Sequence, residues 1–277
     1  MTLTTFIGGG NMASALVGGM LARGTAPAAI RIVEPLAAQR EKLVARFPGV
    51  TLHAASTAAA VDGSGLVVFA VKPQQMREAA TAVGAALRGA PHSGVLSIAA
   101  GIRIGDLARW LGGGMRIVRA MPNTPALVGR GISGAYAAAD VDANLRARCA
   151  AVLEAGGPVI WVNDEAMLDA VTGVSGSGPA YVFYFLEALE AAARELGFSA
   201  TDARSLAYAT FDGAVALAKA STDEPATLRA QVTSKNGTTE RAIALMESHA
   251  VKATIVAAVK AAAARARELG DELGRNS

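Results

Sequence analysis

The chain has 277 residues, about half of them hydrophobic and 18% charged, which suffices for two modest domains and excludes intrinsic disorder. A net charge of +3 and 5% aromatic residues, with Lys and Arg scattered, give no basic stripe interleaved with stacking rings, so a nucleic-acid partner is not expected. A single cysteine, Cys149, excludes an intrachain disulfide and a cysteine-based metal site, and no metal is expected. The uncharged first 22 residues mimic a leader or membrane span. However, Gly8, Gly9, Gly10 and Asn11 break the apolar run and no basic residue precedes it, so no membrane segment and a cytoplasmic location are expected.

Over the first 160 residues, short apolar runs alternate with helix-like stretches. Strands are predicted at 4–7, 30–33, 66–70, 95–98 and 116–120, with a last pair at 132–136 and 159–162; helices are predicted at 13–22, 37–46 and 74–87. Val67, Val68 and Phe69 form a continuous apolar run of the kind buried on both faces of a parallel sheet. The alternation implies an α/β fold with a doubly wound, Rossmann-type sheet over residues 1–163. From 164 to 277 the strand signal stops and helices are predicted at 181–196, 202–220, 226–232, 239–246 and 251–269. Thr201 is expected to cap the second of these, and Gly197 to end the first. The 181–196 helix opens Tyr181-Val182-Phe183-Tyr184-Phe185-Leu186, apolar almost all round, so it is expected to be buried on every side by a partner subunit.

Several segments carry chemistry. Ile7-Gly8-Gly9-Gly10-Asn11-Met12 follows the first strand and opens a helix, the arrangement that brings backbone N–H groups to a dinucleotide pyrophosphate. Glu34 ends the second strand, where an acid meets the adenosine ribose. Ala70-Val71-Lys72-Pro73 follows another buried strand, and Lys72 reads equally well as a phosphate partner or a solvated side chain. In Arg119-Ala120-Met121-Pro122-Asn123-Thr124-Pro125, two prolines make a rigid loop, favouring Met121 and Asn123 as ligand-facing. Gly173-Val174-Ser175-Gly176-Ser177-Gly178-Pro179 has a special backbone and no further reading by itself. Thr233-Ser234-Lys235-Asn236-Gly237-Thr238-Thr239-Glu240 enters a helix, and reads either as a carboxylate site or as an ordinary threonine cap.

Taken together, FIGGGNMASAL, FAVKPQQM, SIAAGI, RAMPNTPALVGRG, GVSGSGPAYVFYFLEAL and TSKNGTT resemble, in order and spacing, the pyrroline-5-carboxylate reductases. The resemblance implies a Rossmann domain followed by an all-α domain that binds substrate and interlaces with a second subunit, as a homodimer or a larger homo-oligomer. It implies that NADPH or NADH delivers hydride to the C=N of 1-pyrroline-5-carboxylate, giving L-proline in the last step of proline biosynthesis. By match to the motifs, 7–12 and 70–73 contact the cofactor. Ser234, Asn236, Gly237, Thr238 and Thr239 hold the substrate, with Met121 and Asn123 beside it. This chain departs from the family at three places: the asparagine usual near Thr57 is absent, the substrate loop has Lys235-Asn236, and Asp223-Glu224 replaces a Glu-His pair.

None of His53, His92 and His249 lies in a site motif, so no histidine acid is evident. The substrate is expected to enter largely as its iminium, or to be protonated through water and a hydroxyl, with Thr239 and Ser234 as the catalytic candidates. Glu34 favours NADH by repelling a 2′-phosphate, whereas the nearby Arg31 and Arg40 reopen NADPH; dual use is expected. Two alternatives are a β-hydroxyacid-dehydrogenase-like oxidoreductase and a non-catalytic NAD(P) sensor. The absence of lysine from 166–187 argues against the first, and turnover with pyrroline-5-carboxylate separates the second.

Overall fold

The computed structural model describes residues 2–90 and 92–275. These fall into two compact units, one running through Ser177 and resuming at Ala261, the other spanning Gly178–Lys260. The division therefore differs from the 163/164 boundary read in the sequence: 164–177 and the C-terminal stretch pack with the sheet.

In chain order the first unit contains β1 (Thr4–Ile7), α1 (Asn11–Ala22), β2 (Ile30–Val33), α2 (Ala37–Arg46), β3 (Thr51–His53), α3 (Ala58–Val61), β4 (Leu66–Phe69) and α4 (Met76–Arg88). It continues with β5 (Gly94–Ser97), α5 (Ile104–Leu111), β6 (Ile117–Pro122), β7 (Ser133–Ala137), α6 (Ala143–Glu154), β8 (Val159–Trp161), α7 (Met167–Val171) and a π-helical turn at Thr172–Gly176. The eight strands form one sheet in the order β3-β2-β1-β4-β5-β6-β7-β8, parallel throughout except that β7 runs antiparallel to β6.

Alternation along each strand feeds two cores. Phe6, Val68, Leu96 and Val118 point to one face, against Leu16 and Val17 of α1, Leu43 of α2 and Leu145, Cys149 and Val152 of α6. Ile7, Val67, Phe69, Val95 and Ile117 point to the other, against α3, α4 and α5. Side chains such as Phe6, Leu16, Ile32 and Phe69 are fully buried, and each contributes about 1.5–3 kcal/mol to the folded state. Strand β3 escaped the sequence pattern because only its neighbour's register defines it; its three residues are half-buried or exposed. The end of the chain, 261–275, joins this unit through Leu273, packed on the second core, and the Arg103–Asp271 ion pair at 2.6 Å.

The second unit is helical: α8 (Gly178–Glu195), α9 (Ala200–Ala220), α10 (Pro225–Gln231), α11 (Thr238–Ser248) and the first part of α12 (Val251–Arg275). Gly197 ends α8 with φ +100°, as expected, but α9 is capped by Ser199, whose hydroxyl accepts the Asp202 N–H at 3.1 Å, rather than by Thr201. Within one chain α8 is left open, as the expectation of cover from a partner subunit requires. Phe183 is 59% and Tyr184 73% exposed, and only Ala203 and Ala207 are buried among the described residues of this unit. Contiguous exposed apolar faces mark interaction surfaces, and this one needs cover from another copy. Among the described residues no single helix is long and apolar enough to cross a membrane.

The fold also decides the chemistry of Cys149. Burial in the first core pushes its thiol up to about 12, which removes the reactive thiolate at neutral pH. Native protein is expected to react with a disulfide reagent only as fast as it unfolds; prompt stoichiometric reaction at pH 8 would contradict this packing.

Candidate active site

In the order β2-β1-β4, the chain reverses direction of winding between β1 and β4, and ligands of open parallel sheets bind in the crevice at that switch point, beyond the carboxyl ends of the strands. The two cofactor segments read from the sequence flank it. Residues 7–12 leave β1, and 70–73 leave β4. Gly8 has φ +103°, and a Cβ there would come within 2.8 Å of the Ala70 carbonyl oxygen, so the two segments touch through a backbone only glycine allows. Val71 and Pro73 are half-buried, while Lys72 is exposed at the mouth of the crevice.

Gly10 is different. Its φ and ψ, −71° and −171°, suit any residue, and a Cβ would meet nothing within 4 Å. Neither backbone strain nor protein packing requires glycine there. It stands at the N-cap of α1, and no side chain caps the helix's first amides. A pyrophosphate would fit this arrangement: it needs close approach at Gly10 and would accept from the uncapped N–H groups at the start of α1.

Glu34 is 8% exposed. Its Oε2 accepts the Gly9 N–H at 3.1 Å and its Oε1 accepts the Leu36 N–H at 2.9 Å. The acid expected at the ribose therefore also braces the glycine turn. Gln39 completes the brace by donating to the Gly9 carbonyl at 2.8 Å, and Arg40 donates to the Glu34 carbonyl at 2.8 Å. Sequence reading missed Gln39, because nothing in an exposed helix N-terminus marks one glutamine as a turn brace. Thr57, where the family's asparagine is absent, caps α3 by accepting the Ala60 N–H at 3.3 Å.

Met121 and Asn123 end β6 on the same carboxyl edge. Met121 is half-buried. Asn123 is 8% exposed and held by backbone at both polar atoms: Oδ1 accepts the Ile132 N–H at 2.9 Å, and Nδ2 donates to the Ser175 carbonyl at 3.1 Å. Beneath them lies an ion network absent from the sequence reading. Arg119, 4% exposed, pairs with Glu165 at 3.0 Å and Asp169 at 3.8 Å, while Glu165 also accepts the Ile104 N–H at 2.8 Å.

Ser234, Asn236, Gly237, Thr238 and Thr239 belong to the second unit. Asn236 adopts φ +59°, a left-handed conformation that asparagine tolerates. Its N–H is taken by Glu240 Oε2 at 2.7 Å. The cap of α11 is Gly237, not a threonine, so no side chain satisfies the amides of Thr238 and Thr239. A Cβ at Gly237 would collide with the Ser234 hydroxyl, so glycine here makes room for that group.

A parallel sheet with a braced glycine turn at its switch point and an acid on the neighbouring strand defines an NAD(P)-binding oxidoreductase. Known proteins narrow the class. Residues 4–101 match the family described as NADP oxidoreductase coenzyme F420-dependent, and residues 165–269 match pyrroline-5-carboxylate reductase dimerisation. The chain is 44% identical over 270 residues to the pyrroline-5-carboxylate reductase of Pseudomonas aeruginosa, covering 98% of this chain and 97% of that protein. It is similar to the solved pyrroline-5-carboxylate reductase of Coxiella burnetii, with TM-score 0.90, 36% identity and coverage of 97% and 98%. It is also similar to the Plasmodium falciparum pyrroline carboxylate reductase with NADP bound, with TM-score 0.85, 26% identity and coverage of 97% and 98%. The chain belongs to the pyrroline-5-carboxylate reductase family, and with that family's dimerisation segment and an uncovered α8 it is a homo-oligomer.

The open space at Gly10 has a direct consequence. Gly10→Val should fold with an unchanged melting temperature and lose NAD(P)H binding, because only the ligand competes for that space. Normal cofactor affinity in a folded Gly10→Val protein, measured by fluorescence titration, would place the pyrophosphate elsewhere.

Proposed function

We propose that Ser234, Asn236, Gly237, Thr238 and Thr239 hold 1-pyrroline-5-carboxylate, and that 7–12, 70–73 and Glu34 hold NADPH or NADH, for the family's reaction. In that reaction, the C=N carbon gains hydride, the ring nitrogen gains a proton and L-proline is released. The observation that carries the substrate assignment is the uncapped start of α11. Its first amides lack an internal acceptor, and the helix dipole adds positive potential there, which suits the substrate carboxylate.

The bound NAD(P)H supplies the hydride. The chain supplies position. The Thr238 and Thr239 amides take the carboxylate, the Ser234 hydroxyl in the space left by Gly237 adds a donor, and Met121 lines the substrate side. The Thr239 hydroxyl, on the second residue of α11 and half-buried, donates at the ring nitrogen or carboxylate. With no histidine in these segments, the substrate enters largely as its iminium and needs no strong acid. Holding two reactants in register then provides most of the acceleration. Glu34 accepts from a ribose 2′-hydroxyl and disfavours a 2′-phosphate, while Arg40, in the first turn of the α2 helix that follows, offsets that repulsion, so both cofactors are used. The labour divides as 1–163 for the dinucleotide and 164–277 for substrate and dimerisation, in a cytoplasmic homodimer or larger ring.

Thr239 tests the assignment. A hydrogen bond to a charged group is worth roughly 1.5–3 kcal/mol, so Thr239→Ala should lower kcat/KM roughly 10- to 100-fold. Since Gly237 is the cap, the melting temperature should hold, and so should the NADPH dissociation constant; Thr239→Ser should restore turnover. Full activity in Thr239→Ala, or a loss that follows melting temperature, would move the substrate site elsewhere.

A further inference from the structure

The helix that begins at Met167 widens at Thr172–Gly176, where the Ser177 N–H reaches back five residues to the Thr172 carbonyl at 2.8 Å. Such π-helical turns are rare and recur at functional sites. The sequence explains why the ladder breaks here. In a regular helix the Ser175 carbonyl would accept the N–H of residue 179, but residue 179 is proline and has none. A carbonyl left without a donor in a buried setting is costly. The Asn123 amide supplies the donor at 3.1 Å, while its oxygen holds the Ile132 N–H at 2.9 Å. One buried side chain thus fastens the end of β6, the start of β7 and the widened turn. The turn in turn seats Met121: a Cβ on Gly176 would come within 2.7 Å of the Met121 Cε. Two hydroxyls secure the preceding carbonyls, Thr172 to Leu168 at 2.7 Å and Ser175 to Val171 at 3.1 Å.

We propose that Asn123 is a positioning residue that acts through the π-helical turn rather than by touching substrate. By supplying the donor that Pro179 lacks, it holds the turn open and fixes Met121 at the reacting end of β6. The inference rests on the reading that Met121 lines the substrate side. Both its amide nitrogen and its oxygen already hold backbone partners, so the proposed route from Asn123 to the reaction is the placing of its neighbour.

The experiment compares Asn123→Ala, Asn123→Ala/Pro179→Ala and Pro179→Ala with wild type, whose turnover of pyrroline-5-carboxylate is measured first and tests the underlying reading separately. Readouts are kcat, KM, NADPH affinity, melting temperature and hydrogen exchange at the Ser177 amide. Asn123→Ala should lose roughly tenfold in kcat, the factor matching one ordinary hydrogen bond, with faster Ser177 exchange and unchanged NADPH affinity. In the double variant, residue 179 regains an N–H, so Ser175 gains a helical partner. Melting temperature should recover while kcat stays low, because the turn has closed to a regular helix. Pro179→Ala alone should keep wild-type kcat and slow Ser177 exchange while Asn123 still holds the turn. Recovery of kcat together with stability in the double variant would show that Asn123 is merely structural. A raised KM with undisturbed Ser177 exchange would show direct substrate contact. Either result overturns the proposal, as does faster exchange with intact kcat.

Discussion

The Glu34 carboxylate accepts the N–H of Gly9 from the end of the neighbouring strand, and the proposed cofactor site is built around that bond. Glu34 is buried, and a carboxylate in that position is stable only when its oxygens are satisfied. Two backbone amides satisfy it, those of Gly9 and Leu36, and both lie in the loops that leave β1 and β2. The turn is thereby fixed before any ligand arrives. Gln39 holds the carbonyl of the same glycine from the other side. What remains free is the start of α1, its amides and the empty space over Gly10, so the site is preorganised for a phosphate-bearing ligand.

The opposite condition governs the second unit. Its helices form readily from alanine-rich sequence, yet they bury almost nothing within one chain. Phe183 and Tyr184 face out, and a groove lined by Tyr181, Tyr184, Phe185, Ile255 and Val259 is nearly all apolar. The hydrophobic driving force that closes the Rossmann sheet on itself is here deferred to association. Folding of this half and assembly are therefore one process, with stability dependent on protomer concentration. The loop proposed to hold substrate sits between α10 and α11 of the same unit, so on that proposal binding and assembly share a scaffold.

Strong local rules made much of this legible in the sequence. Short apolar runs marked β1, β2 and β4 at or within a residue of their ends, and the glycine turn identified the switch point by its place after β1. Whatever depended on distant partners stayed hidden. Strand β3 has too few residues to show a period and is defined by pairing with β2. Ser199 caps α9 in place of Thr201 because the chain turns two residues earlier, which composition does not signal. Glu34 was legible as an acid at the end of β2, but its bond to Gly9 was not. Asn123 was singled out by its flanking prolines, yet its partners lie 9 and 52 residues away, and only the fold shows that its amide is spent on backbone. The π-helical turn follows from Pro179 in hindsight, although glycine and serine on either side obscure any helical period.

The family's reaction requires hydride to pass from NAD(P)H to the ring C=N of pyrroline-5-carboxylate. The direct measurement is isotopic. NADPH bearing deuterium at both positions of nicotinamide carbon 4 is incubated with the purified oligomer and pyrroline-5-carboxylate, and the product is read by NMR. One deuterium on the δ-carbon of L-proline is expected for each NADPH oxidised, and the same with deuterated NADH. Cofactor oxidation without proline, or proline carrying no deuterium at that carbon, would contradict it.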